Sequence, residues 1–342
     1  MTRGDIRINS RSRRSIITKE EPRISIIIPC RAIDAYTKEC IDNCLKIEYS
    51  NYEILVLPDY YDNSEVADKL VRIIPTGPMR PMAKRLLGGS MSKGALCAFI
   101  DSDAFPAKNW IRNAIHHFKD SEVAAVVGPS LTPDADNLLA KASGFVLASP
   151  LGSGSESIRY SQTHSRIRYV LEAPACNFII SKSDLKAVND FVSDVWPGEE
   201  IVLCGVVTKN LKKRIIYDNQ VVVYHHRRPL FIPHLKQVWK YGLVKGFLLK
   251  SCREYIRLRF FAPSLLLLGI IVGFFPAIIN PIIAYAYILS ISGYVLVSLF
   301  NAVLIGMRQK NLRVIFLTFV GVIATHICYG LAFIKGVLSR KL

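Results

Sequence analysis

Asp101 and Asp103, one residue apart in the stretch LCAFIDSDAFPAKNW (Leu96 to Trp110), are acids that could hold one hard divalent cation. Leu96 to Ile100 is an apolar run that predicts a buried strand, and both carboxylates stand where it ends. Pro106 suits the first turn of a helix, and Ile111, Ile115 and Phe118 recur at helical spacing. The acids therefore belong to a strand–loop–helix unit, at the strand end where open α/β sheets bind ligands. An ion held this way bridges diphosphate oxygens and keeps several waters. The implied chemistry is departure of a phosphate-bearing leaving group. Alone, such a pair is short enough to be a solvated turn or a helix cap, so its meaning depends on its surroundings.

Other candidates lie elsewhere in the chain. Glu199 and Glu200 follow a turn signal in WPGEEIVLC and open an apolar helix, where an acid serves either as a base or as a complement to the helix dipole. Lys84 and Arg85 sit near the start of the helix after Pro81, suited to a diphosphate or to a solvated basic face. Tyr224-His225-His226-Arg227-Arg228 follows a strand, and His225 is a candidate third metal ligand; the alternative is a basic rim facing a membrane. His326 stands in an apolar run, where a neutral imidazole bonded to a backbone carbonyl is expected. The G-x-G of Leu151 to Ser157 neither follows a strand nor ends in a third glycine, so it is read as a mobile loop and not as a dinucleotide fingerprint.

The elements that must position these residues are legible in the hydrophobic pattern. RISIIIP (Arg23 to Pro29) and YEILVL (Tyr52 to Leu57) are near-continuous apolar runs of the kind found in parallel strands buried on both faces. A helix carrying Tyr36, Cys40, Ile41, Cys44 and Leu45 joins them, which makes a right-handed parallel unit. Further strands are expected at 71–74, 96–100, 123–127, 175–180 and 220–224, and the pattern weakens from Gly128 to Arg168.

The chain has 342 residues and a formal charge of +17. The placement of that charge excludes nucleic acid as the expected partner. Lys236, Lys240, Lys245, Lys250, Arg253, Arg257 and Arg259 crowd the stretch before the first long apolar run, where basic residues attract anionic lipid. Arg3, Arg7, Arg11, Arg13 and Arg14 lie in a polar arm over 1–22, which has no apolar core and so is expected to be disordered and no leader peptide. Eight cysteines without a C-x-x-C pair read as reduced packing residues, as expected of a cytosolic domain. Phe260 to Ile279, Ile282 to Gly306 and Val314 to Ile334 each approach the ~20 residues needed to cross hydrocarbon. Arg308, Lys310 and Arg313 mark the loop between the last two as cytoplasmic, whereas Lys335, Arg340 and Lys341 at the far end run against that rule.

In this order, SIIIP, EILVLPD, MAKR, FIDSDAFPAKNWI, GEEIVL and QVWKY resemble the motifs of inverting family 2 glycosyltransferases, over roughly Ile24 to Gly246. The resemblance implies an α/β GT-A nucleotide-sugar domain over 23–233. A basic amphipathic interfacial segment over 234–259 and an all-α transmembrane region over 260–342 follow it. It implies donor binding by Pro29, Arg31, Asp59, Lys84, Arg85 and Asp101, and Mg2+ or Mn2+ held by Asp101 and Asp103. Glu200 is the implied general base with Glu199 as its substitute, and Gln237, Lys240 and Tyr241 border the acceptor. Glu200 stands where the family has aspartate, and Lys240 and Tyr241 where processive members have arginine and tryptophan. The expected reaction moves sugar from a UDP- or GDP-sugar to a lipid-linked acceptor at the cell membrane, with the catalytic domain cytoplasmic. A polysaccharide-extending synthase, a non-catalytic sugar-nucleotide-binding scaffold and a transporter subunit are the other readings.

Overall fold

The computed structural model describes residues 21–60, 68–162, 167–192, 199–251 and 257–339. The arginines of the N-terminal arm, Trp196 to Gly198, Cys252, Arg253, Glu254, Arg340 and Lys341 lie outside the described residues. In chain order the first elements are β1 (Ile24–Pro29), α1 (Ala35–Cys44), β2 (Tyr52–Leu57), β3 (Val71–Ile73), α2 (Pro81–Met91) and β4 (Leu96–Ile100). Next come β5 (Ala104–Pro106), α3 (Trp110–Ile115), β6 (Val123–Val127), β7 (Ser130–Leu131), α4 (Leu138–Ala148) and α5 (Pro150–Ser153). They are followed by β8 (Arg168–Val170), β9 (Asn177–Ser181), α6 (Lys182–Val192), α7 (Glu199–Gly205), β10 (Arg214–Tyr217) and β11 (Val223–His225). The chain closes with α8 (Ile232–Ser251), α9 (Ala262–Ile279), α10 (Pro281–Arg308) and α11 (Leu312–Leu338).

Complete burial of β1, β2, β4 and β6 is what their near-continuous apolar runs require, with the buried Ser25 hydroxyl donating to Glu53 (2.7 Å). The described strands form an eight-stranded sheet ordered β3-β2-β1-β4-β9-β6-β10-β8. β3, β2, β1 and β4 are mutually parallel, and β9 runs antiparallel between β4 and β6. Because β6 and β10 are again parallel, the carboxyl ends of β1, β2, β4, β6 and β10 share one edge. A second sheet, β5-β11-β7, carries the chain that leaves β4.

Several expectations change. Pro106 ends a strand instead of opening a helix: Ala104–Pro106 pairs with Val223–His225, and the helix begins only at Trp110. The last strand starts at Val223, since Asp218 Oδ1 accepts from the Gln220 N–H (2.9 Å) and turns the chain there. Leu151 to Ser157 is α5 and a 3-10 turn, not an open loop, because Ser149 Oγ caps the Leu151 and Gly152 N–H groups. α4 carries no helical signature in the sequence, because LLAKASGFVLA is apolar on almost every side and shows no stripe.

The chain divides into two compact units, one formed by residues up to Leu131 with Ser161–His225, the other by Thr132–Tyr160 with His226 onward. Residues 132–160, expected inside the sheet domain, thus cluster with the C-terminal helices. In that second unit three helices, Leu258–Ile279, Pro281–Arg308 and Leu312–Leu338, are long and apolar enough to cross a membrane. α9 and α10 expose large apolar side chains such as Phe275, Ile279, Ile282 and Leu289, as lipid-facing helices do.

α11 is the centre of this unit, and α8 lies along it. His234, Val238, Gly242, Val244, Gly246 and Leu248 form the buried face of α8, while Lys236, Lys240 and Lys250 stay exposed. Two glycines set the approach. A Cβ at Gly246 would lie 2.1 Å from the Phe333 carbonyl oxygen, and one at Gly336 would lie 2.0 Å from that of Leu243. His326 donates from Nε2 to the Leu151 carbonyl (2.8 Å) and its Nδ1 accepts from the Tyr294 hydroxyl (2.8 Å), the neutral form expected of an apolar setting. Gly246→Leu should lower stability in detergent by about 1–3 kcal/mol or more, since only backbone could move aside. Gly269→Leu, with open space where its Cβ would go, should change the melting temperature little.

Candidate active site

β4 delivers Asp101 and Asp103 to the shared carboxyl edge, and the loop runs directly into β5. Since His225 pairs with Ala104 across the β5–β11 ladder, the imidazole is set beside the second acid. His225 Nε2 and Asp103 Oδ1 are 3.1 Å apart, and ligand atoms of Asp101, Asp103 and His225 all fall within 4.8 Å of one another. Two carboxylate oxygens and one imidazole nitrogen, all partly open to solvent, are a donor set that fits a hard to borderline divalent ion. Arg85 Nη2 donates to Asp101 Oδ1; the guanidinium is almost wholly buried, and its Nε has no hydrogen-bond partner among the described residues.

Lys84 takes a different part from the one expected. Its ammonium donates to the carbonyls of Cys30 (2.6 Å) and Leu57 (3.0 Å) and to Asp59 Oδ1 (2.5 Å). All three protons are engaged, so no N–H is left for a diphosphate. Lys84 ties the ends of β1 and β2 together and orients Asp59. The Asp59 N–H also donates to the Arg31 carbonyl (3.0 Å), which aligns Pro29, Arg31 and Asp59 along one strand-end shelf with the Arg31 side chain exposed.

Glu199 and Glu200 open α7, and only the first is buried. Burial, with Glu200 alongside, pushes the Glu199 carboxyl up to about 7, against the lowering effect of Arg85, Arg80 and a hydrogen bond from the Met82 N–H. Glu199 thus docks α7 against the start of α2, and Glu200 is left partly exposed.

Residues 25–188 match the model of Glycosyl transferase family 2. The chain carries a family 2 glycosyl transferase domain. Asp101 and Asp103 lie inside the matched stretch; Glu199, Glu200 and His225 lie beyond it. The chain is 26% identical over 150 residues to the pre-mycofactocin glycosyltransferase of Mycobacterium tuberculosis, covering 43% of this chain and 30% of that protein. It is 28% identical over 114 residues to glycosyltransferase GlyG of Streptococcus pneumoniae, covering 31% of this chain and 38% of that one. It therefore spans well under half the length of these relatives. Among solved structures it is similar to the mannosyltransferase PcManGT of Pyrobaculum calidifontis in complex with GDP-Man and Mn2+. The TM-score is 0.56 at 15% identity, over 96% of this chain and 92% of that one. At that identity the likeness shows the fold: a GT-A-like mixed α/β sheet domain followed by C-terminal helices.

Asn177 is a residue of the transferase domain that sequence reasoning missed. Wholly buried on β9, it accepts from Trp110 Nε1–H (2.8 Å) and donates to the carbonyls of Pro129 (3.0 Å) and Val221 (2.7 Å). One amide side chain thereby joins the helix after the acids, the loop after β6 and the approach to β11. A lone polar residue at the head of NFII was the available signal.

Gln237, Lys240 and Tyr241 belong to the other unit, where Gln237 Nε2–H donates to the Tyr241 hydroxyl (3.0 Å) on α8. His226 parts from His225: its Nδ1 meets Asp136 Oδ1 at 2.6 Å, and the Arg227 guanidinium sits 4.9 Å over the Tyr160 ring.

The raised Glu199 pKa carries a stability consequence. An unfolded glutamate titrates near 4.5, so the protonated form favours folding. That contribution is complete below about 4.5 and lost as pH rises towards about 7. Wild-type stability should fall across this window by up to roughly 3 kcal/mol. Glu199→Gln should flatten the profile, as read by thermal unfolding at a series of pH values.

Proposed function

We propose that this protein is an inverting, metal-assisted glycosyltransferase that moves a sugar from a nucleoside-diphosphate sugar to a lipid-linked acceptor at a membrane. The observation that supports it most is the meeting of Asp101, Asp103 and His225 at the sheet edge that also carries Asp59. Asp101, Asp103 and His225 would hold Mg2+ or Mn2+, and a bound divalent ion supplies charge neutralisation for a departing diphosphate. Asp59, oriented by Lys84, would accept hydrogen bonds from the nucleoside of a UDP- or GDP-sugar. Arg85, buried against Asp101, adds positive charge on the same side.

Inversion requires an acceptor hydroxyl to attack the anomeric carbon opposite the leaving group and to lose its proton. Glu200 is the proposed base, because it remains partly exposed while Glu199 is buried and engaged with α2. Glu200→Gln should cut transfer by about 10²–10⁴ while donor binding persists. Asp103→Asn, or a chelator, should abolish transfer without unfolding the chain. Labelled donor turnover and donor binding, measured on the same preparations, check both; full activity in Asp103→Asn would refute the metal assignment.

For the acceptor, support comes from three membrane-length helices and from α8, whose exposed lysines alternate with apolar residues next to them in sequence. The basic loop between α10 and α11 supports a cytoplasmic catalytic domain at the cell membrane. Supplied with donor, the protein should pass label to membrane lipid extract in preference to water-soluble sugars. Label found only in soluble products, at an undiminished rate after delipidation, would overturn the lipid acceptor.

A further inference from the structure

A second group of metal-type ligands lies in the sheet domain, and it shares no residue with the site around Asp101. The 3-10 turn His116–Lys119 follows α3, and Asp218 follows the last residue of β10. His117 Nε2 and Asp218 Oδ2 are 2.8 Å apart, both residues buried at 7% and 5% exposure. Asp218 is held in place on both its side chain and its backbone. Its other oxygen accepts from the Gln220 N–H (2.9 Å), and its own N–H donates to the Val127 carbonyl (2.9 Å). A hydrogen-bonded carboxylate of this kind keeps its orientation when a ligand enters.

A buried His–Asp pair needs no third member, yet one is present. The His116 ring lies 3.9 Å from that of His117, centroid to centroid, and ligand atoms of His116, His117 and Asp218 fall within 4.8 Å of one another. Two imidazolium rings at that separation would repel, whereas two neutral imidazoles can share a cation. His116 is exposed, so an ion has a route in from solvent. Zinc bonds of 2.0–2.1 Å put tetrahedral ligand atoms about 3.3 Å apart, so the His117–Asp218 pair would need to open by only about 0.5 Å.

We infer that His116, His117 and Asp218 form a second cation site, selective for a borderline transition metal of the zinc class. Two nitrogens and one oxygen distinguish it from the two oxygens and one nitrogen at Asp101, Asp103 and His225, which suit Mg2+ or Mn2+ better. Bound there, the ion would join the turn after α3 to the end of β10, and a water would complete its coordination.

The test uses the full chain in detergent and Co2+ as a visible probe. In Asp103→Asn, which disables the first site, one Co2+ per chain should bind with the d–d absorption of a low-coordinate N/O site. Adding His116→Ala, an exposed change that leaves the buried pair intact, should weaken that affinity at least tenfold and remove the band. Zn2+ should raise the melting temperature of the Asp103→Asn chain and not of the double variant. No Co2+ bound by Asp103→Asn, or equal binding by the double variant, would overturn the assignment. Asp218→Asn is the second variant: it should lose the band while its circular dichroism remains folded, and retention of the band would also count against the site.

Discussion

The antiparallel ladder between β5 and β11 is the constraint on which the candidate site depends. Strand β4 can deliver two acids to the sheet edge by itself, but the imidazole beside them comes from more than a hundred residues away. The ladder supplies it by register, because His225 faces Ala104 and therefore stands beside Asp103. A slip of one residue would turn the imidazole to the other face. Asn177 secures that register from below, holding the Val221 carbonyl just before β11 and the Trp110 indole just after the acids. Gly128 serves the same junction: a Cβ there would lie 1.9 Å from the Val221 oxygen.

Charge around the site is arranged in tiers. Lys84 is buried with all its protons engaged by the fold, Arg85 is buried but reaches Asp101, and the Arg31 side chain is exposed. A buried ammonium is tolerated only because each donor finds an oxygen, and this requirement makes Lys84 a positioning group for Asp59. Glu199 illustrates the converse, for burial beside Glu200 outweighs two nearby arginines and keeps its carboxyl readily protonated.

The helical unit is held together by close backbone approach and by neutral polar contacts. His234 bonds Ser143 (2.8 Å) and Thr325 (2.9 Å), joining α8, α4 and α11, and burial lowers its imidazole to about 4, so it stays uncharged. Glycines at the α8–α11 crossing let the two backbones approach more closely than any side chain would allow.

Much was determined by the sequence alone. Runs such as ISIIIP and LCAFI are best satisfied as strands buried on both faces, and uncharged stretches of membrane length as helices long and apolar enough to span, so fold class and general architecture were legible. The paired acids and the paired glutamates were visible for the same reason, being local patterns. What only the tertiary structure decided were relations between distant segments: the partnership of His225 with Asp103, the diversion of Lys84 to Asp59, the burial of Glu199 rather than Glu200, and the grouping of residues 132–160 with the C-terminal helices. Strand direction, ladder register and the identity of a buried partner depend on which surfaces meet after folding, and a one-dimensional pattern of polarity carries no record of that meeting.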